Sequence, residues 1–274
     1  MGYETIAVDV DARGVASLVL CRPDVHNAMD GRMWAEGLEA TQRLAEDASV
    51  RAVVLTGSGK SFCSGGDLKF QLAQRKASTA EKIAHADTFM RWLQALDTLP
   101  KPVIARIQGP AYAGGLGLIS VCDLAIGVDT LTFAITEARL GLQPAMISPF
   151  VVRRLGVAKA RRFFLTGQRF NAAEALAMGF LDRVESAGTL DAAVEEEIEL
   201  VLQCAPGAVG KVKHLIAQVA HLGLEGSLAY STDQAVQMWD SEEAVEGISS
   251  FLEKRRPAWI ASSDRRHRGQ THGK

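Results

Sequence analysis

Two short stretches pair adjacent glycines with what reads as the start of a helix. SGKSFCSGGDLKF carries Gly65 and Gly66 directly before Asp67, and GPAYAGGLGLISVC carries Gly114 and Gly115 before an apolar run. Each follows a strand-like segment, RAVVLTG in the first case and VIARIQG in the second. A helix beginning there presents backbone N–H groups that lack an intrahelical partner and carries a partial positive charge, so an oxygen gaining negative charge is stabilised beside it. Glycine lets the main chain approach that oxygen closely. One such turn is ordinary turn chemistry, whereas two can place a pair of donors on a single oxyanion.

Competing site chemistries fit poorly. GSGKSF lacks the GxxxxGK[ST] spacing of a phosphate loop, and AYAGGLG lacks the spaced glycines of GxGxxG. No GxSxG pentapeptide follows a strand, which leaves Ser64 and Cys63 poor nucleophile candidates. The four cysteines, Cys21, Cys63, Cys122 and Cys204, show no CxxC spacing and read as free thiols, so no metal site is expected.

The elements that must position the two turns follow from periodicity. TIAVDV and VASLVL, joined by DARG, read as a hairpin, followed by a helix near residues 33–47 and the strand RAVVLTG. A second helix over residues 80–99 stops at Pro100 before KPVIARIQG. CDLAIG and TFAI are further short strands, and from about Ile147 the pattern is almost continuously helical. Asn171 with Glu174 has the form of a capping box, and Ser241 precedes two acids in a first turn. An α/β core over residues 1–200, a helical extension over 201–260 and a disordered basic tail over 261–274 are therefore expected. Phosphate or metal binding by that tail is the less favoured reading.

With 274 residues, 47% hydrophobic and 23% charged residues and a net charge of -2, the composition is that of a globular protein with a sizeable core. Nothing in it points to nucleic acid. No apolar stretch reaches membrane-spanning length and the start, MGYETIAVDV, has no signal-peptide pattern, so a cytoplasmic protein without a membrane partner is expected.

RPDVHNAMD, SFCSGGDL, GPAYAGGLGLISVCDLAIG, EARLGLQP, FLTGQRFNAAEALAMGFLDRV and EGISSFLEKRRPAW stand in the order of the crotonase, or enoyl-CoA hydratase/isomerase, superfamily. The resemblance covers about residues 5–260 and implies a ββα spiral core with a C-terminal helical extension. It implies an acyl-CoA substrate whose thioester oxygen is held by the N–H groups of Gly66 and Gly114, and no cofactor apart from the coenzyme A of the substrate. Family hydratases commonly use two glutamates; here Gly117 stands at the first position and Glu137 at the second. Within ITEARLGLQP, Glu137 takes the catalytic reading over that of an exposed or capping carboxylate. Asp67 reads first as a helix cap.

For coenzyme A, the resemblance assigns Val25, His26 and Ala28 to the loop bordering the adenosine, with His26 acting through its backbone, and Ser64, Asp67 and Leu68 to the pantetheine. Phe251 and Lys254 match a C-terminal helix position that reaches the nucleotide of a neighbouring subunit, since relatives are homotrimers or hexamers. The acyl pocket wall is expected from residues 70–94 and 146–150. A hydratase is the leading expectation, resembling the branch for methylglutaconyl-type or isohexenylglutaconyl-type thioesters of leucine or fatty acid catabolism. A Δ3,Δ2-enoyl-CoA isomerase is the runner-up, because one base suffices for it. A noncatalytic acyl-CoA- or RNA-binding homologue comes last, opposed by the retained Glu137 and the near-neutral charge.

Overall fold

A computed structural model describes residues 2–260; the expected tail at 261–274 lies outside the described residues. Strand β1 (Ile6–Val10) turns back into β2 (Val15–Leu20) as an antiparallel hairpin. The Asp11 carboxylate accepts the N–H groups of Arg13 at 2.7 Å and Val15 at 3.1 Å to close that turn. Helix α1 (Gly31–Glu46), capped by Asp30, returns the chain to β3 (Ala52–Gly57), and α2 (Leu68–Gln74) and α3 (Thr79–Asp97) lead to β4 (Val103–Ile107). Ser78 and Glu81 form a reciprocal capping box at the head of α3.

The chain then makes β5 (Ala111–Tyr112), the wholly buried helix α4 (Gly114–Ser120), β6 (Leu124–Val128) and β7 (Thr132–Ala134). Helices α5 (Ser148–Leu155) and α6 (Val157–Thr166) precede β8 (Phe170–Asn171), α7 (Ala172–Ala177) and β9 (Arg183–Glu185). Four helices close the described chain: α8 (Leu190–Gln203), α9 (Pro206–His221), α10 (Leu224–Trp239) and α11 (Glu242–Leu252). The Asn171–Glu174 capping box and the Ser241 cap are both formed.

The main sheet runs β1-β2-β3-β4-β6-β9 and is parallel except for β1, while β5, β7 and β8 make a small second sheet. The central strands β3 and β4 are almost continuously apolar because both faces are covered, as parallel sheets require. This is the expected α/β spiral core. The continuous helical pattern expected after Ile147 is corrected at two places. Phe170–Asn171 and Arg183–Glu185 are strands, the latter completing the main sheet beside β6. They are too short to carry a visible alternation and form because an exposed sheet edge offers them hydrogen bonds.

Gly37 lets α1 approach α3 closely: the Trp92 ring occupies the space a Cβ at Gly37 would need, and the Trp92 indole N–H donates to Thr41 Oγ1 at 3.2 Å. That packing anchors α3, whose other face lines the site described next. Residue 200 lies within α8, and the extension beyond it is α9, α10 and α11.

Candidate active site

The two glycine turns meet. Tyr112 N–H donates to the Cys63 carbonyl at 2.9 Å and Phe62 N–H to the Pro110 carbonyl at 3.1 Å, tying the segment after β3 to the one after β4. Met29 N–H donates to the Gly65 carbonyl at 2.8 Å and Asp67 N–H to the Met29 carbonyl at 2.7 Å, so the flanking peptides are committed to one side and the Gly66 N–H faces the other. Gly65 has φ of +93°, and a Cβ there would stand 2.8 Å from the Ala113 Cβ and 3.4 Å from the Gly114 nitrogen. Only glycine permits both the dihedral and the approach.

Ala113 itself has φ of +48°, an uncommon conformation for a residue with a Cβ, held by its N–H donating to the Ala134 carbonyl at 2.9 Å. This twist starts α4 at Gly114. Neither the Gly66 N–H nor the Gly114 N–H has a hydrogen-bond partner among the described residues, and both residues line one cavity.

A polar brace behind the turns accounts for most of the N-terminal loop. The wholly buried Asn27 side chain accepts from Arg22 N–H at 2.9 Å and donates to the carbonyls of Ser58, Ser61 and Phe62. Arg22 donates to the Ala28 carbonyl at 2.5 Å and pairs with Asp30 at 3.2 Å and Asp67 at 3.1 Å. Asp67 also caps α2 by accepting from Lys69 and Phe70 N–H groups. Burial pushes its carboxyl pKa up, but those amides and Arg22 outweigh burial and hold it below the ordinary carboxylate value. The structure therefore gives Asp67 a capping and bracing place beside the cavity.

The cavity measures about 360 Å³. Trp34, Phe70 and Phe89 form an aromatic wall, with Trp34 stacked on Phe89 at 5.1 Å and edge-on to Phe70 at 5.3 Å. The loop after β7 also lines the cavity; there Glu137–Leu140 is a short 3₁₀ turn closed by Leu142 N–H donating to the Glu137 carbonyl at 2.9 Å. The Glu137 side chain is half-buried, and its Oε2 is buried without a hydrogen-bond partner. Loss of hydration pushes its pKa above the ordinary value, with the amides of Glu137 and Thr136 only partly opposing. A carboxylate in that state lines the cavity together with both free N–H donors, a perturbed group of the kind active sites concentrate.

Of the residues singled out from sequence, Gly66, Gly114, Glu137, Ser64 and Leu68 line the cavity. Val25, His26 and Ala28 are not among the lining residues; they lie in the braced loop, where the His26 carbonyl accepts from the N–H of the lining residue Ser64 at 2.9 Å. Phe251, near the end of α11, and Lys254, just beyond it, are exposed and line no part of the cavity. The expected wall is largely found, with Phe70, Phe89, Met146 and Ile147 all lining it. Sequence reasoning missed Trp34, Arg22 and Asn27, and nothing in the spacing of RPDVHNAMD separates the last two from the exposed polar residues beside them. All four cysteines are free; burial raises the Cys63 thiol pKa to about 12, which removes it as a nucleophile. Among the described residues no group of three or more His, Cys, Asp or Glu could hold a metal ion, and no helix is long and apolar enough to cross a membrane.

A family model described as enoyl-CoA hydratase/isomerase matches residues 11–262. A putative enoyl-CoA hydratase of Thermus thermophilus is 33% identical over 91% of this chain and 99% of its own length. A carnitinyl-CoA dehydratase of Proteus mirabilis is 35% identical over 89% of this chain and 94% of its own. The crystal structure of an enoyl-CoA hydratase from Shewanella pealeana superposes with a TM-score of 0.90 at 34% identity, covering 94% of this chain and 96% of that one. With sequence and fold agreeing over that extent, the chain belongs to the enoyl-CoA hydratase/isomerase, or crotonase, family.

Proposed function

We propose that the protein is a hydro-lyase that adds water to, or removes it from, an α,β-unsaturated acyl-CoA. One observation carries this reading: the unpaired N–H groups of Gly66 and Gly114 and the Glu137 carboxyl, whose Oε2 is buried without a partner, line the same cavity. In the hydration direction Glu137 takes a proton from water as its oxygen bonds to the β-carbon. The electron pair of the double bond moves toward the thioester oxygen, where the two N–H groups oppose the developing charge. The same carboxyl then delivers the proton to the α-carbon and is regenerated. No cofactor enters beyond the coenzyme A that the substrate brings.

Coenzyme A is assigned to the edge formed by Val25, His26, Ala28, Ser64, Asp67 and Leu68, with Phe251 and Lys254 serving the site of a neighbouring copy in a homotrimer or hexamer. Support for assembly comes from α9 and α10, which bury no residue in the single chain although both are amphipathic. A branched glutaconyl-type thioester is the finer substrate reading, resting on motif resemblance alone. Isomerisation of a 3-enoyl-CoA is a second reading, favoured by the fact that Glu137 is the one carboxylate lining the cavity among the described residues. Incubation with a 2-enoyl-CoA, 3-methylglutaconyl-CoA and a 3-enoyl-CoA separates the two: water addition is expected, and double-bond migration without hydration would replace the hydratase reading.

A further inference from the structure

The cavity has an uneven lining. Beside Glu137 the lining is mostly apolar, from Leu140, Leu142, Pro144, Met146 and Ile147 with Thr136 and Gln143 among them, and Gln71 packs against Gly66, whereas Gln74, Lys82 and His85 are gathered where α2 faces α3. Lys82, His85, Ala86 and Phe89 occupy one face of α3 by their spacing. Phe89 marks the thioester end of this stripe, because its ring lies 3.6 Å from where a Gly114 Cβ would be. Lys82 is two helical turns away, about 10 Å along the axis.

The polar end is organised. His85 Nδ1 is 2.8 Å from Gln74 Oε1, so that nitrogen carries the hydrogen and Nε2 is left over. The His85 ring is edge-on to Phe70 at 5.3 Å, which fixes its plane. Lys82 has no ion-pair partner among the described residues, and no acidic side chain lines this end of the cavity. An alkyl chain reaching that far would strip water from the His85 imidazole and the Gln74 carboxamide, beside the exposed Lys82 ammonium, and return no hydrogen bond.

We propose that the acyl pocket takes a chain bearing a carboxylate at its far end, and that Lys82, assisted by Gln74 and His85, is the specificity-determining contact. The substrate class is thus a dicarboxylic enoyl-CoA of medium length. This rests on the enoyl-CoA reading of the site. The test uses the full chain and pairs of thioesters of equal length. Affinities of octanoyl-CoA, octanedioyl-CoA and free coenzyme A are measured by calorimetry, and kcat/KM is measured for 2-octenoyl-CoA and 2-octenedioyl-CoA.

The wild type is expected to favour the carboxylated member by at least about tenfold in both measurements, the worth of one charge-assisted hydrogen bond. Lys82→Met abolishes the preference by weakening the carboxylated thioester while affinity for free coenzyme A is kept, and Lys82→Arg retains the preference. Equal affinity for the two chains, a preference that survives Lys82→Met, or a Lys82→Met variant weakened equally toward free coenzyme A would overturn the assignment. Tight binding of octanedioyl-CoA without turnover of either enoyl thioester would uphold the carboxylate contact and sink the hydratase/isomerase reading. Turnover of 2-octenoyl-CoA without a carboxylate preference would do the reverse.

Discussion

Ile147 lays its side chain over the Cα of Gly117, in the space a Cβ at that position would need, and Leu93 Cδ1 stands 3.6 Å from the same point. Gly117 belongs to the buried helix α4 and Ile147 to the cavity wall. The position where the family resemblance expects a first glutamate is thus closed by hydrocarbon, which under the proposed function leaves Glu137 to carry the proton.

Packing at Gly117 makes its substitution a stability experiment. Gly117→Ala forces Ile147 aside in a filled core and is expected to destabilise by about 1–3 kcal/mol. Gly117→Glu adds a buried charge and is more damaging, while Ile147→Ala beside it restores part of the loss by opening room. Urea unfolding of the three variants checks the order.

Glu137→Gln removes the proton carrier and is expected to lower kcat by about 10²- to 10⁴-fold with thioester affinity retained. Because burial raises the folded-state pKa of Glu137, its ionisation disfavours the folded state once pH rises above the ordinary carboxylate value of 4.5. The Gln variant should therefore be at least as stable as wild type at pH 7, an advantage that vanishes below pH 4.5, where the carboxyl is protonated folded and unfolded alike. Wild-type activity should fall with acidity at a pH above that of an ordinary carboxylate. Unfolding curves at both pH values and a pH–rate profile read these outcomes.

Gly65 holds the two donor turns together although it donates nothing to substrate itself. Gly65→Ala meets strain at φ of +93° and contact with Ala113, so the turns must part. Gly156→Ala is the control: its φ is +76° but nothing lies within 4 Å of the added Cβ. Both should lose about 1–2 kcal/mol to strain. Only Gly65→Ala should in addition lose about 10²- to 10³-fold in kcat, the cost of displacing an oxyanion donor. Steady-state kinetics beside thermal melts distinguish them.

The C-terminal helices predict assembly. Leu224 is 79% exposed, Trp239 67% and Phe251 82%, too much apolar surface for an isolated chain. Light scattering should give a trimer or a multiple of it. Leu228→Glu on α10 should shift the mass toward the monomer, and Phe251→Asp should weaken coenzyme A binding if α11 serves a neighbouring site.

Much of this was readable in the order of residues. Strong local patterns are set by short-range physics: the DARG turn closes through Asp11, the Asn171–Glu174 box forms by reciprocal hydrogen bonds, and β3 and β4 are apolar because both their faces are covered. The glycine pairs announced two turns with spare donors. The strand β9 was hidden, since three residues show no period and their pairing partner lies more than fifty residues earlier.

What the sequence by itself determined is the set of local elements, the two donor turns and, through ordered motifs, the family. Tertiary structure alone decided that Gly65 touches Ala113, that Asn27 and Arg22 brace the turns, that Ile147 closes the space at Gly117, and that Lys82 and His85 share a cavity with Glu137. Each of those facts depends on atoms brought together by sheet order and helix packing. Contacts between segments distant in the chain leave no period or spacing for a linear reading to find.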